Sequence, residues 1–132
     1  MLLFAVLLIN AGAGAFFVVG AFMQGGVRPV PFALASVPPL LGFAGAGLML
    51  RYPVTGLVLG IFFYAIQTVS YANPEGIWGI RSGFNVGYSV PYGTGVLSVN
   101  VLAVILGIAH AVIAFRRHVR SKGTSGMSTT AG

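Results

Sequence analysis

Four long apolar runs, none containing an acidic side chain, constrain this chain more than any other feature. They cover residues 2–23, 30–50, 53–72 and 95–115. Each approaches the roughly 20 residues that a helix rising 1.5 Å per residue needs to cross a hydrocarbon core of roughly 30 Å. A backbone in lipid must satisfy its own hydrogen bonds, so such runs predict helices. A transmembrane barrel would instead need many short segments of alternating polarity. Charge points the same way. Asp, Glu, Lys and Arg make up 6% of the residues, and Glu75 is the only acid. Soluble domains carry roughly a quarter charged residues. A water-soluble globule, a disordered chain and a coiled coil are all excluded on this basis. The expected fold is an all-α membrane protein, a four-transmembrane-helix bundle spanning residues 1–115, followed by a basic and then disordered cytoplasmic tail at 116–132.

The punctuation between runs is tight. Gln24-Gly25-Gly26-Val27-Arg28-Pro29 separates the first two, and Gly-Gly with Pro is strong turn chemistry. Arg51-Tyr52-Pro53 separates the second and third so closely that they must form an antiparallel hairpin. Pro38-Pro39 should kink the second helix or delay its regular start. The first run lacks a basic leader, so it reads as a retained span rather than a cleaved signal. Basic residues in short loops set orientation. With both termini cytoplasmic, Arg51, Arg116, Arg117, Arg120 and Lys122 lie inside, while Arg28 and Arg81 lie outside. The reverse topology inverts that ratio, so N-in and C-in is expected, in the cell membrane.

The connection at 73–94 then lies outside. Asn73-Pro74-Glu75-Gly76 should stop the third helix. Phe84, Val86, Tyr88, Val90 and Tyr92 alternate with smaller or polar residues, the period of a strand. Two readings fit: a short β-hairpin turning near residues 81–84, or an irregular interfacial loop. Either places Trp78, Tyr88 and Tyr92 at headgroup level. Ser121–Gly132 has no apolar pattern and is expected to be disordered.

The chemistry available is limited. Without cysteine there are no disulfides and no thiolate ligands. A metal site wants three or four protein ligands, and a single copy with two histidines and one acid cannot easily assemble one. The net charge of +6 gathers beside the last apolar run, which indicates contact with lipid headgroups rather than nucleic acid. Polar residues inside the runs carry the information, because burying them unpaired is costly. These are Asn10, Gln67, Asn100 and His110. Helical spacing predicts two layers, Asn10 beside His110 and Gln67 beside Asn100. Asn10, Gly14, Phe17 and Ala21 share one face of the first helix. Gly56 and Gly60 on the third helix, and Ala103, Gly107, Ala111 and Ala114 on the fourth, should pack helix on helix.

No acid, base and nucleophile set is present, so the expected function is non-enzymatic and requires no cofactor. The chain reads as an accessory or structural subunit whose partners are the bilayer and other membrane subunits or itself. One alternative is an oligomeric channel or small-solute transporter lined by the four polar residues. Another is a haem- or pigment-binding subunit that uses His110 as a ligand. Ion-coupled carriage is disfavoured by the lack of an intramembrane acid or Lys.

Overall fold

The computed structural model describes the backbone of residues 1–23, 29–74, 76–78 and 84–126, and the side chains of 1–23, 35–74 and 84–120. It is mostly helical with a small sheet. Helices α1 (Leu2–Met23), α2 (Pro29–Arg51) and α3 (Pro53–Ala65) are followed by strands β1 (Val69–Asn73), β2 (Gly76–Trp78), β3 (Gly87–Tyr92) and β4 (Gly95–Asn100), then by α4 (Val101–Gly126). Two segments, Leu2–Met23 and Val101–Arg120, are long and apolar enough to cross a membrane.

The helices pack in sequence, α2 against α1 and α3, and α3 against α4. Tyr52 turns α2 back along itself. As the residue before Pro53 it is held extended, at φ −128° and ψ 76°, and Pro53 then opens α3 where its missing N–H costs nothing. The α2 and α3 backbones approach closely at Gly45 and Gly56. A Cβ on Gly56 would stand 2.6 Å from the Gly45 carbonyl oxygen. The helix α2 is continuous through Pro38 and Pro39.

Two of the expected helix boundaries are corrected. The third apolar run is not helical to residue 72, because α3 stops at Ala65. Gln67 Nε2 donates to the Phe63 carbonyl at 2.9 Å, and Thr68 Oγ1 to the Tyr64 carbonyl at 3.0 Å. These side chains satisfy the last carbonyls of the helix, so the backbone is free to leave it. Val69-Ser70-Tyr71-Ala72-Asn73 then has the β-branched and aromatic content of a strand. The fourth run is likewise strand up to Asn100 and helix only from Val101. Asn100 is the N-cap of α4: its Oδ1 accepts the Ala103 N–H at 3.2 Å. The two switches from helix to strand sit side by side, joined by the Asn100 N–H donating to the Thr68 carbonyl at 2.8 Å.

The sheet is larger than a hairpin. It is antiparallel throughout, with strand order β2-β1-β4-β3. Its β3–β4 turn falls at Gly93-Thr94, not near residues 81–84, most of which lie outside the described residues. Gly93 has φ +57°, as the first central position of a type II′ turn requires. Pro91 is tolerated because β3 is an edge strand. Ser70 pairs with Ser98, and Ser98 with Ser89. Their side chains therefore share one face, where Ser89 and Ser98 hydroxyls lie 2.8 Å apart. Tyr71, Tyr88 and Tyr92 occupy the other face, with Tyr71 lying over Gly95. Tyr88 and Tyr92 are exposed, while the Trp78 side chain lies outside the described residues. The tail is also corrected: the α4 backbone continues to Gly126, past Ser121, where the disordered segment was expected to begin.

Removing the Asn100 cap should weaken the switch. Asn100→Ala is expected to lower unfolding free energy in detergent by about 1–2 kcal/mol, and Asn100→Ser to recover about half of that loss. Equal stability of all three proteins would contradict the assignment of Asn100 as the cap.

Candidate functional site

The polar residues of the apolar runs are gathered in the interior. Asn10, Gln67, Asn100 and His110 are all buried, with His110 fully so. Asn10 and His110 lie beside Tyr64, which is also fully buried and which hydropathy alone does not single out. Tyr64 stands one helical turn after Gly60 on α3, so both face α4. A Tyr in the middle of an apolar run is the available signal, since its hydroxyl needs a polar neighbour when buried.

Gly60 makes room for His110. A Cβ at Gly60 would stand 2.8 Å from His110 Nε2, so the imidazole rests directly on the α3 backbone. Its other nitrogen, Nδ1, lies 2.8 Å from the Leu106 carbonyl oxygen one turn earlier on α4. The Tyr64 and His110 rings are 5.2 Å apart and tilted by 55°. Phe63 closes the far side, edge-on to Tyr64 at 4.9 Å. Leu7, Ala11, Ala46 and Ala103 complete the packed core around them.

The side-chain hydrogen bonds of Asn10 and Asn100 run to a loop backbone. Asn10 and Asn100 both hold the extended segment at residues 84–86. The Phe84 N–H donates to Asn10 Oδ1 at 2.7 Å, and Asn100 Nδ2 donates to the Phe84 carbonyl at 3.3 Å. The Leu102 N–H donates to the Val86 carbonyl at 3.1 Å. A loop backbone thus ties the middle of α1 to the start of α4. Gln67 meets Asn100 only through the adjacent Thr68 backbone. Asn10 and His110 are each neighbours of Tyr64 rather than bonded partners.

Among the expected packing residues, Gly56, Gly60 and Ala103 are buried at helix contacts. Gly107 is half-buried, with ordinary clearance to Tyr64. Ala111 departs from the expected stripe and is exposed, whereas Ala114, on the same stripe, is buried. The face of α4 runs through 103, 107, 110 and 114, and residue 111 is rotated off it by 100° relative to His110, following the helical period of about 3.6 residues. On α1 the face holds through Asn10 and Gly14 but fails at Phe17 and Ala21, which are exposed.

Three buried polar atoms, Tyr64 Oη, Gln67 Oε1 and His110 Nε2, have no hydrogen-bond partner among the described residues. Asn10 lies near the Tyr64 hydroxyl but outside hydrogen-bonding geometry. The described residues contain no group of three metal-ligating side chains. Chemically the site is a neutral set of donors and acceptors with one imidazole, suited to binding through hydrogen bonds. No protein-family model matches this chain, and no curated protein or solved structure shows significant similarity to it.

The close seat of His110 makes a sharp test. Gly60→Ala should destabilise the fold by about 1–3 kcal/mol through overpacking, whereas Gly107→Ala should be near neutral. His110→Ala should relieve the Gly60→Ala penalty in the double variant, read by thermal unfolding in detergent. Tyr64→Phe removes an unpartnered hydroxyl, and stability equal to or above the parent is expected.

Proposed function

We propose that this chain is a multi-pass protein of the cell membrane, spanning four times with both termini cytoplasmic. In this reading it works without catalysis, as an accessory or structural subunit assembling with other membrane subunits or with itself. The observation that carries the reading is an inverted distribution of polarity. Leu8, Ile9, Phe16, Phe17, Ile105, Ile108 and Phe115 are exposed, while Asn10, Gln67, Ser70, Ser98, Asn100 and His110 are buried. Water as solvent would favour the opposite arrangement. Polarity along the bundle also supports the proposed sidedness. One cavity is lined by Met1, Leu50, Pro53 and Arg117, so the start of α1, the α2–α3 turn and the basic end of α4 lie together. The strands follow from the opposite ends of α3 and α4.

The span count carries a geometric condition. The 13 residues of α3 cover only about 20 Å. Four spans therefore require a locally thin bilayer or a compensating tilt of its neighbours. The open edges of the sheet must then lie at the interface or beyond it.

A specific observation favours one second reading, a passive pathway for a small polar solute. Three buried polar atoms of the core, Tyr64 Oη, Gln67 Oε1 and His110 Nε2, have no hydrogen-bond partner among the described residues and are groups that could line such a path. The cofactor reading is less favoured, because His110 Nε2 faces the Gly60 backbone and a haem would have to part α3 from α4.

Sidedness is checked by single-cysteine labelling in sealed vesicles. Thr94→Cys should react with an impermeant maleimide from outside, and Arg117→Cys only after permeabilisation. The reverse pattern would overturn the topology. Native purification in mild detergent should yield a stoichiometric partner or a defined homo-oligomer. A lone monomer that conducts solute in liposomes, with flux altered by Asn100→Leu, would support the second reading instead. An absorbance band lost in His110→Ala would support the cofactor.

A further inference from the structure

A partly open cavity lies at the basic end of the bundle. It has a volume of about 480 Å³, within the range of roughly 300–1,000 Å³ typical of small-molecule sites. Its walls come from every helix. Leu3 and Phe4 of α1, Leu57 of α3 and Ala109 and Ile113 of α4 give it an apolar interior. One charged side chain reaches it, that of Arg117.

The lining combines two features that belong to one class of ligand. Its interior offers no polar side chain to hold a soluble metabolite in place. Its rim carries a guanidinium, which matches phosphate oxygens in a paired, planar geometry. There is no acidic side chain among the described residues to neutralise Arg117, and the chain as a whole holds only Glu75. Arg116 and Arg120 follow on the same helix end and add to a positive potential at the membrane surface.

We propose that this cavity is a site for an anionic phospholipid of the leaflet at the basic end. One acyl chain fills the space between α1 and α4, and the phosphate pairs with Arg117. The proposal rests on the membrane reading given above. It goes further by assigning one defined lipid position, held by Arg117 in particular rather than by the basic cluster in general. The bound chain would fill the space between the first and last helices at this end of the bundle.

Native mass spectrometry of the full chain in mild detergent tests this, with phosphatidylglycerol and phosphatidylcholine of matched acyl chains added separately. One phosphatidylglycerol per chain is expected to be retained, about tenfold more strongly than phosphatidylcholine, the ratio that corresponds to about 1.4 kcal/mol. Arg117→Gln should abolish that preference while Arg120→Gln leaves it intact. Ala109→Phe, which fills the cavity from α4, should cut retention of both lipids. Circular dichroism confirms that each variant is folded. Equal retention of the two lipids by the parent chain would overturn the proposal. So would a preference lost equally in Arg117→Gln and Arg120→Gln, which would indicate diffuse surface charge. Failure of the membrane reading itself is a different result: a chain that stays folded and monomeric in buffer without amphiphile.

Discussion

The structure depends on how the backbone leaves two helices at one level. At that level α3 gives way to β1 and β4 gives way to α4, and side chains and loop backbone nearby take up backbone groups released by the change. Gln67 and Thr68 cover the last carbonyls of α3. Asn100 caps α4 with its Oδ1, holds Phe84 with its Nδ2 and reaches the Thr68 carbonyl with its backbone N–H. In an apolar surrounding an unsatisfied backbone group costs several kcal/mol. A change of secondary structure there is possible only where side chains of this kind supply the missing bonds. The same bonds set the register of the sheet and the start of the fourth helix.

This explains which parts of the fold were legible in the sequence. The run at residues 2–23 and the hairpin at Tyr52-Pro53 were readable because length, apolarity and a proline leave few alternatives. The boundaries at Ala65 and Val101 were not, because hydropathy does not distinguish a buried strand from a buried helix. Val69 and Val99 look the same in either. The relevant signal is the side-chain chemistry of Gln67-Thr68 and Asn100; Gln67 and Asn100 suit interhelical contacts as well as caps, and the spacing alone does not separate the two. The hairpin turn was misplaced for a similar reason. Period two is visible from Phe84 to Tyr92, but residues 95–100 beyond Gly93-Thr94 carry the hydropathy of the apolar run that follows, so the turn between two strands is hidden.

The interior was legible in outline. All four polar residues singled out in the apolar runs are buried, and Gly60 does sit at a helix contact. Their partners were not legible, because helical rise locates depth but not rotation or tilt. Asn10 is satisfied by a loop backbone that no periodicity could have indicated. Tyr64, the residue that His110 and Asn10 share, was lost among aromatics that elsewhere face outward. The consequence for function is specific. A polar core enclosed within one chain favours internal cohesion, and leaves the outer surfaces apolar and available to lipid or to other helices.

The central claim is that lipid is the solvent for the outer faces of α1 and α4. Nitroxide labels placed one at a time along both helices in bilayers test it directly, through collision with oxygen and with a water-soluble nickel chelate. Labels at Leu8, Phe16, Ile105, Ile108 and Val112 should meet oxygen freely and the chelate hardly at all, while labels at Leu7, Ala11 and Ala103 should be shielded from both. Chelate access at Phe16 and Ile108 as high as at Thr94 would contradict the account.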